Sequence, residues 1–141
     1  MTRLAGPTLL LQLLLQLLLV ALGGAAAQED NVTLEVRYPQ RSITAAGGSS
    51  VKLSCNAIYI VELCGLLRVA WYRIASPNLE LTDPGRYFTA VNETGNHVRR
   101  RQVVTEILSL TPKDHGQFQC QAQCDTGETS MGHYISITVE G

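Results

Sequence analysis

Four cysteines, Cys55, Cys64, Cys120 and Cys124, are the side chains of this sequence best suited to chemistry. Thiols at such spacings serve either as disulfides or as zinc ligands. Cys120 and Cys124 lie close enough to share a metal, and His115 is the nearest imidazole. The start of the chain decides between the two. Arg3 precedes a Leu-rich stretch from Leu9 to Leu22 whose polar breaks are Gln12 and Gln16, and Ala25 and Ala27 then precede Gln28. This is the pattern of a secretory signal peptide over residues 1–27, cleaved before Gln28. Oxidising compartments convert such cysteines into disulfides. Two disulfides, no metal and no cofactor are therefore expected. Four cysteines allow three pairings, and spacing alone does not choose among them.

Other reactive patterns lead nowhere catalytic. Asp125-Thr126-Gly127 matches the aspartic-protease triplet, but that chemistry needs two aspartates sharing a proton and the sequence holds one copy. His97, His115 and His133 are scattered, and none falls in a catalytic motif. No catalytic residue is assigned, and the chain is not expected to be an enzyme. Arg99-Arg100-Arg101 could be a protease cut or a heparin contact, but it opens a strand continuing into Gln102-Val103-Val104 and is taken as a charged hairpin arm. Asn31-Val32-Thr33 and Asn92-Glu93-Thr94 are sequons, so Asn31 and Asn92 are candidate glycosylation sites on the surface.

The elements that position these residues have a period of two. Val51, Leu53 and Cys55 alternate with Ser50, Lys52 and Ser54 after the turn-prone Gly47-Gly48-Ser49, and Val69 and Trp71 flank Ala70. Thr111-Pro112-Lys113-Asp114 marks a turn after Ile107 and Leu110. Phe118 and Cys120 should point together into a core, and Tyr134 to Val139 reads as the last strand. Glu93-Thr94-Gly95-Asn96 reads as a hairpin tip, and no long amphipathic helix or internal repeat is evident. The net charge of −1 gives no reason to expect nucleic acid as partner. No second apolar run follows the first, so the expectation is a product without a transmembrane segment, secreted or extracellular. A soluble form of a membrane receptor would have the same sequence character.

Gly48-Ser49-Ser50-Val51-Lys52-Leu53-Ser54-Cys55, Val69-Ala70-Trp71-Tyr72-Arg73 and the Asp114-x-Gly116-x-Phe118-x-Cys120 run resemble the immunoglobulin superfamily in order and spacing. The resemblance spans about residues 35 to 139 and implies an all-β fold, a two-sheet antiparallel immunoglobulin-like sandwich formed by residues 28–141. It implies a Cys55–Cys120 disulfide packed on Trp71, and an ion pair between Arg86 and Asp114. Phe118 stands where many members carry tyrosine, so the usual tyrosine-corner hydrogen bond is absent. The short interval between Trp71 and Arg86 leaves room for one strand near Leu79–Leu81, which favours an intermediate-type over a variable-type domain. In such a sandwich the segments holding Cys64 and Cys124 meet at one end, making a Cys64–Cys124 bridge geometrically sound.

That end is where partner contacts are expected. Tyr59, Ile60 and Val61 belong to an apolar run, Ile58 to Leu63, and Asp125 and Met131 flank a small polar loop. Exposed aliphatics beside a tyrosine mark interaction surfaces. The expected function is recognition of another protein, a cell-surface receptor or ligand, in immune regulation. The last segment and the doubled cysteines are similar to small lymphocyte co-receptors such as the B- and T-lymphocyte attenuator. The alternative is adhesion or assembly, as a homodimer or by pairing with another immunoglobulin domain through Tyr72 and Arg73.

Overall fold

The computed structural model describes Thr8, residues 10–17 and residues 33–141. The cleavage site before Gln28 and the sequon asparagine Asn31 lie outside the described residues. Residues 10–17, within the Leu-rich run, are helical, and no described helix is long and apolar enough to cross a membrane.

From Thr33 onward the chain forms a unit of its own, built of ten strands. β1 (Leu34–Arg37), β3 (Val51–Ile60), β7 (Val98–Ile107) and β6 (Tyr87–Gly95) make a four-stranded sheet in the order β1-β3-β7-β6. The facing six-stranded sheet runs β2 (Ser42–Ala46), β10 (Ile135–Glu140), β8 (Gly116–Cys124), β4 (Leu67–Arg73), β5 (Leu79–Glu80). β9 (Thr129–Met131) pairs with Gln121–Gln123 of β8 on the edge that β10 uses lower down, so the final strand is a single edge interrupted at Gly132–Tyr134. Every pairing is antiparallel except that of β2 with β10, which is parallel. The parallel pair arises because the chain leaves the first sheet after Arg37 and crosses through Tyr38-Pro39 to the other. Among the described residues β5 is the one strand between β4 and β6, the intermediate pattern.

β3 shows why these residues form strands. Its odd positions, Val51, Leu53, Cys55, Ala57 and Tyr59, are all buried while its even positions are not. Leu53, Val103, Ile107, Leu110, Phe118, Ile135 and Ile137 close around Trp71 and the Cys55–Cys120 bridge. That bridge joins the sheets with a Cα–Cα distance of 6.4 Å. In the chain-entropy account a loop of this length stabilises by roughly 4 kcal/mol. A smaller cluster, with Leu34, Ala57, Tyr59, Leu67 and Ala122, surrounds a Cys64–Cys124 bridge at one end of the sandwich. At the opposite end Arg86 donates to Asp114 Oδ2 at 2.6 Å. The same oxygen accepts the backbone N–H of Thr111 at 2.8 Å, tying the Pro112–Asp114 turn to β6.

A tyrosine hydroxyl does enter the core, at a different place from the turn that a hydroxyl on Phe118 would reach. Tyr38 accepts a hydrogen bond from the backbone N–H of Cys120 at 3.1 Å and donates to the carbonyl of His133. Its ring packs on Trp71 with centroids 5.0 Å apart. The strand crossing is therefore anchored at the core disulfide and at the β9–β10 interruption together. Gly132 is required there, because a Cβ at that position would overlap the Tyr38 ring. Burial pushes the Tyr38 phenol above its ordinary value, although the Cys120 N–H works against this.

Tyr38→Phe should cost about 1–3 kcal/mol in urea unfolding, because it strips the Cys120 N–H of its partner. The folded state holds the Tyr38 proton more tightly than the unfolded chain does. That stability is present below about pH 10 and is lost as pH rises through the folded value. Alkaline titration of stability should therefore show a smaller loss for Tyr38→Phe than for the parent. Some loss remains, because the Tyr72 phenol is raised as well.

Candidate recognition surface

Strand alternation gives the six-stranded sheet an outer face of unusual composition. On β8, Phe118, Cys120, Ala122 and Cys124 point inward, which sends Gln117, Gln119, Gln121 and Gln123 to the outer side, where Gln119 is nonetheless buried. β4 adds Arg68, Ala70 and Tyr72, and the register places Tyr72 opposite Gln119 and Met131 opposite Gln121. The glutamines are held in place: Gln121 donates to Gln119 at 3.1 Å, and Gln119 donates to the Gly132 carbonyl at 2.8 Å. Arg68 pairs with Glu80 at 2.6 Å, and the Tyr72 hydroxyl donates to the same carboxylate oxygen at 3.3 Å. Burial, then the Glu80 charge, push the Tyr72 phenol up. A hollow of about 160 Å³ lies among Arg68, Tyr72, Gln121, Gln123 and Met131. The face thus carries one compensated ion pair, Arg68 with Glu80, together with neutral amides, a tyrosine and a methionine 58% exposed. Depletion of charge with enrichment in Tyr, Met and Arg is the composition of protein interfaces.

The face runs up to the end closed by the second disulfide. Val61–Cys64 is a single helical turn that Gly65 terminates at φ 74°, a left-handed value that suits glycine. Leu66 then projects into solvent, 80% exposed, while Leu67 turns into the core. Asp125 sits beside this turn, its N–H bonded to the Leu66 carbonyl at 2.8 Å. The Cys64–Cys124 bridge, with Cα atoms 4.9 Å apart, couples the turn to the β8–β9 hairpin. Leu63 is exposed on the same turn, and Glu62 is held by His97 at 2.5 Å, which keeps its carboxyl below the usual range.

The structure redistributes the five residues expected to meet a partner. Asp125 and Met131 are exposed, at the hairpin tip and on the outer face of the six-stranded sheet respectively. Tyr59 is not a contact: it is 3% exposed, because β3 continues to Ile60 and its odd positions face inward. The Tyr59 hydroxyl donates to Glu93, and Arg101 lies over its ring. Ile60 belongs to the other sheet, paired with Val98, and Val61 packs against the small cluster around Cys64. The run from Ile58 to Leu63 is thus a strand end and a helical turn rather than a loop. Arg73 is also withdrawn from any pairing role. It donates to the carbonyls of Lys113 at 2.6 Å and His115 at 2.8 Å and covers the Phe118 ring. Tyr72 stays on the outer face. Leu66, Arg68 and the glutamine row are not singled out by the sequence patterns above, although the i, i+2 spacing of the glutamines between inward residues is a readable signal.

The remaining motifs have structural roles. The arginine triplet is divided by alternation: Arg101 donates to the Leu67 carbonyl and pairs with Glu93, Arg99 donates to the Asn96 carbonyl, and Arg100 is exposed. The Asp125 triplet lies on a hairpin tip. Among the described residues no group of three or more His, Cys, Asp or Glu could hold a metal.

The fold and its two disulfides define an immunoglobulin-like domain. No protein-family model matches the chain. It is similar to human signal-regulatory protein beta-1, with 28% identity over 112 residues; the match spans 77% of this chain but only 27% of that protein. Among solved structures, it resembles a chain in the crystal structure of Dpr2 Ig1-Ig2 in complex with DIP-Theta Ig1-Ig3. The TM-score is 0.60 at 15% identity, covering 76% of this chain and 32% of that one. A chimeric titin Z1Z2 carrying a decorin-derived peptide gives a TM-score of 0.52 at 15% identity, covering 76% and 93%. These two likenesses concern fold. None of the three bears on the narrower likeness to the B- and T-lymphocyte attenuator.

Replacing both Cys64 and Cys124 by serine should preserve the sandwich, because the larger core cluster is separate. It should lower stability by roughly 3 kcal/mol, the chain-entropy value for the loop of about fifteen residues that this bridge closes while Cys55–Cys120 is intact. Hydrogen exchange should speed up selectively at residues 61–66 and 124–128.

Proposed function

We propose that this domain is an extracellular recognition module that binds another protein through the outer face of the six-stranded sheet and the adjoining disulfide-braced end. The observation that carries this reading is the charge-poor surface of Tyr72, Gln121, Gln123 and Met131 continuous with exposed Leu66. Secretion directed by residues 1–27, with removal of that segment, belongs to the same proposal and is supported by the apolar run and by two disulfides. A setting in immune regulation belongs to the same proposal; the similarity to a signal-regulatory protein supports its coarser part, a recognition module. Rigid anchoring of the hydrogen-bonded glutamines and of the helical turn suits binding with little ordering cost.

The second reading is adhesion through a like domain on the same face, with Tyr72 at its centre. It is supported by likeness to a chain from a complex between two immunoglobulin-domain proteins.

The test is binding of the multimerised chain to cells that each display one surface receptor. A saturable partner should be lost on Met131→Asp or Leu66→Asp, each costing about 2 kcal/mol or roughly thirtyfold in affinity. Ile60→Asp, on the other sheet, should leave binding intact. Loss with Ile60→Asp but not with Met131→Asp would reject the assigned face. Concentration-dependent dimerisation abolished by Tyr72→Asp would favour adhesion instead.

A further inference from the structure

Among the described residues β6 is an edge strand paired with β7 alone, in an unbroken register from Tyr87 to Gly95. Beyond half-buried Tyr87 every one of its residues is exposed. Phe88 is 62% exposed on the outer face of the four-stranded sheet, and Val91 is 59% exposed on the opposite face, where the other sheet ends at the short β5. A long, flat, apolar edge is a template for pairing with a second chain, and proteins usually blunt it with lysine, proline, a bulge or a short strand. β6 has none of these. Its single charge, Glu93, is already bound to Tyr59 and Arg101. Tyr87-Phe88-Thr89-Ala90-Val91-Asn92 combines high β-propensity with no charge at all.

The strand does carry the Asn92-Glu93-Thr94 sequon. Asn92 is exposed and lies opposite Gln102, whose side chain reaches Ser54 on the outer face, so Asn92 shares that face with Ala90 and Phe88. Four residues of strand rise place Asn92 roughly 13 Å from Phe88, within reach of the first sugars of an N-linked chain.

We propose that Asn92 is N-glycosylated and that its glycan guards this edge, covering Ala90 and Phe88 and blocking β6 from pairing with β6 of a second copy. The glycan then leaves the six-stranded sheet as the open face. The inference rests on passage through the secretory pathway, not on the partner-binding reading.

The full chain, expressed through a secretory host, should show by peptide mass mapping one glycan at Asn92 that Thr94→Ala removes. The glycosylated protein should sediment without β6-mediated association. Thr94→Ala should self-associate, and so should the folded parent after enzymatic deglycosylation, which covers the case of a variant that fails to fold. Adding Phe88→Ser to Thr94→Ala should reverse the association, whereas adding Tyr72→Asp should not. Secreted, doubly disulfide-bonded protein with Asn92 unmodified would overturn the inference while leaving extracellular recognition standing. So would a deglycosylated parent that sediments like the glycosylated one, or association reversed by Tyr72→Asp.

Discussion

Trp71 and the Cys55–Cys120 bridge occupy the place where the two sheets come closest to sharing one residue environment. The bridge ties β3 to β8, and Trp71 lies opposite Cys120 in the register of β4 with β8. Its indole N–H reaches across to the Val103 carbonyl of β7 at 3.3 Å, so the one polar atom of the largest buried side chain is satisfied by the opposite sheet. Tyr38 packs against the indole and hydrogen-bonds the backbone of Cys120. Four strands and the crossing between sheets are thus referred to one point.

Fixing that point separates the faces of both sheets. Once Cys120 and Trp71 are inward, alternation places Gln119, Gln121 and Tyr72 outward, and the same logic places Tyr59 inside and Ile60 outside on β3. Surface character is set by the core rather than independently of it. The outer face of the six-stranded sheet is amide-rich and braced by its own hydrogen bonds, which fits a surface that meets a partner without rearranging. The outer face of the other sheet ends in the exposed edge strand β6.

The second disulfide acts at a different scale. It lies in a small cluster at one end and holds a four-residue helical turn against a hairpin. A turn that short cannot stand alone, since helix nucleation costs more than so few hydrogen bonds return. Tying it to Cys124 fixes where Leu63 and Leu66 are presented, and Gly65 ends the turn so that Leu66 and Leu67 diverge.

Much of the fold is legible in the residues because its determinants are local or chemically scarce. A two-residue period reports burial within one strand, as Val51, Leu53 and Cys55 show. The joint spacing of two cysteines and a tryptophan, resembling the immunoglobulin pattern, has few packing solutions. The short interval before Arg86 limits the number of middle strands. The recognition surface is less legible. Tyr59 reads as a loop residue in isolation, yet β3 runs to Ile60, a length set by pairing with Val98–Ile107 some forty residues away. Arg73 reads as a free face residue, yet the carbonyls that bind it, at Lys113 and His115, come from a distant turn. Tyr38, whose hydroxyl bonds the backbone of Cys120 and His133, carries no local signal at all. Residue types and their spacing were enough to place Val51, Leu53, Cys55, Trp71, Phe118 and Cys120 in the main core, and the leader-like start of the chain to expect oxidised thiols. Which exposed side chains share a face emerged only from the folded chain, because that depends on register and on where each strand ends, and both are properties of partners remote in sequence.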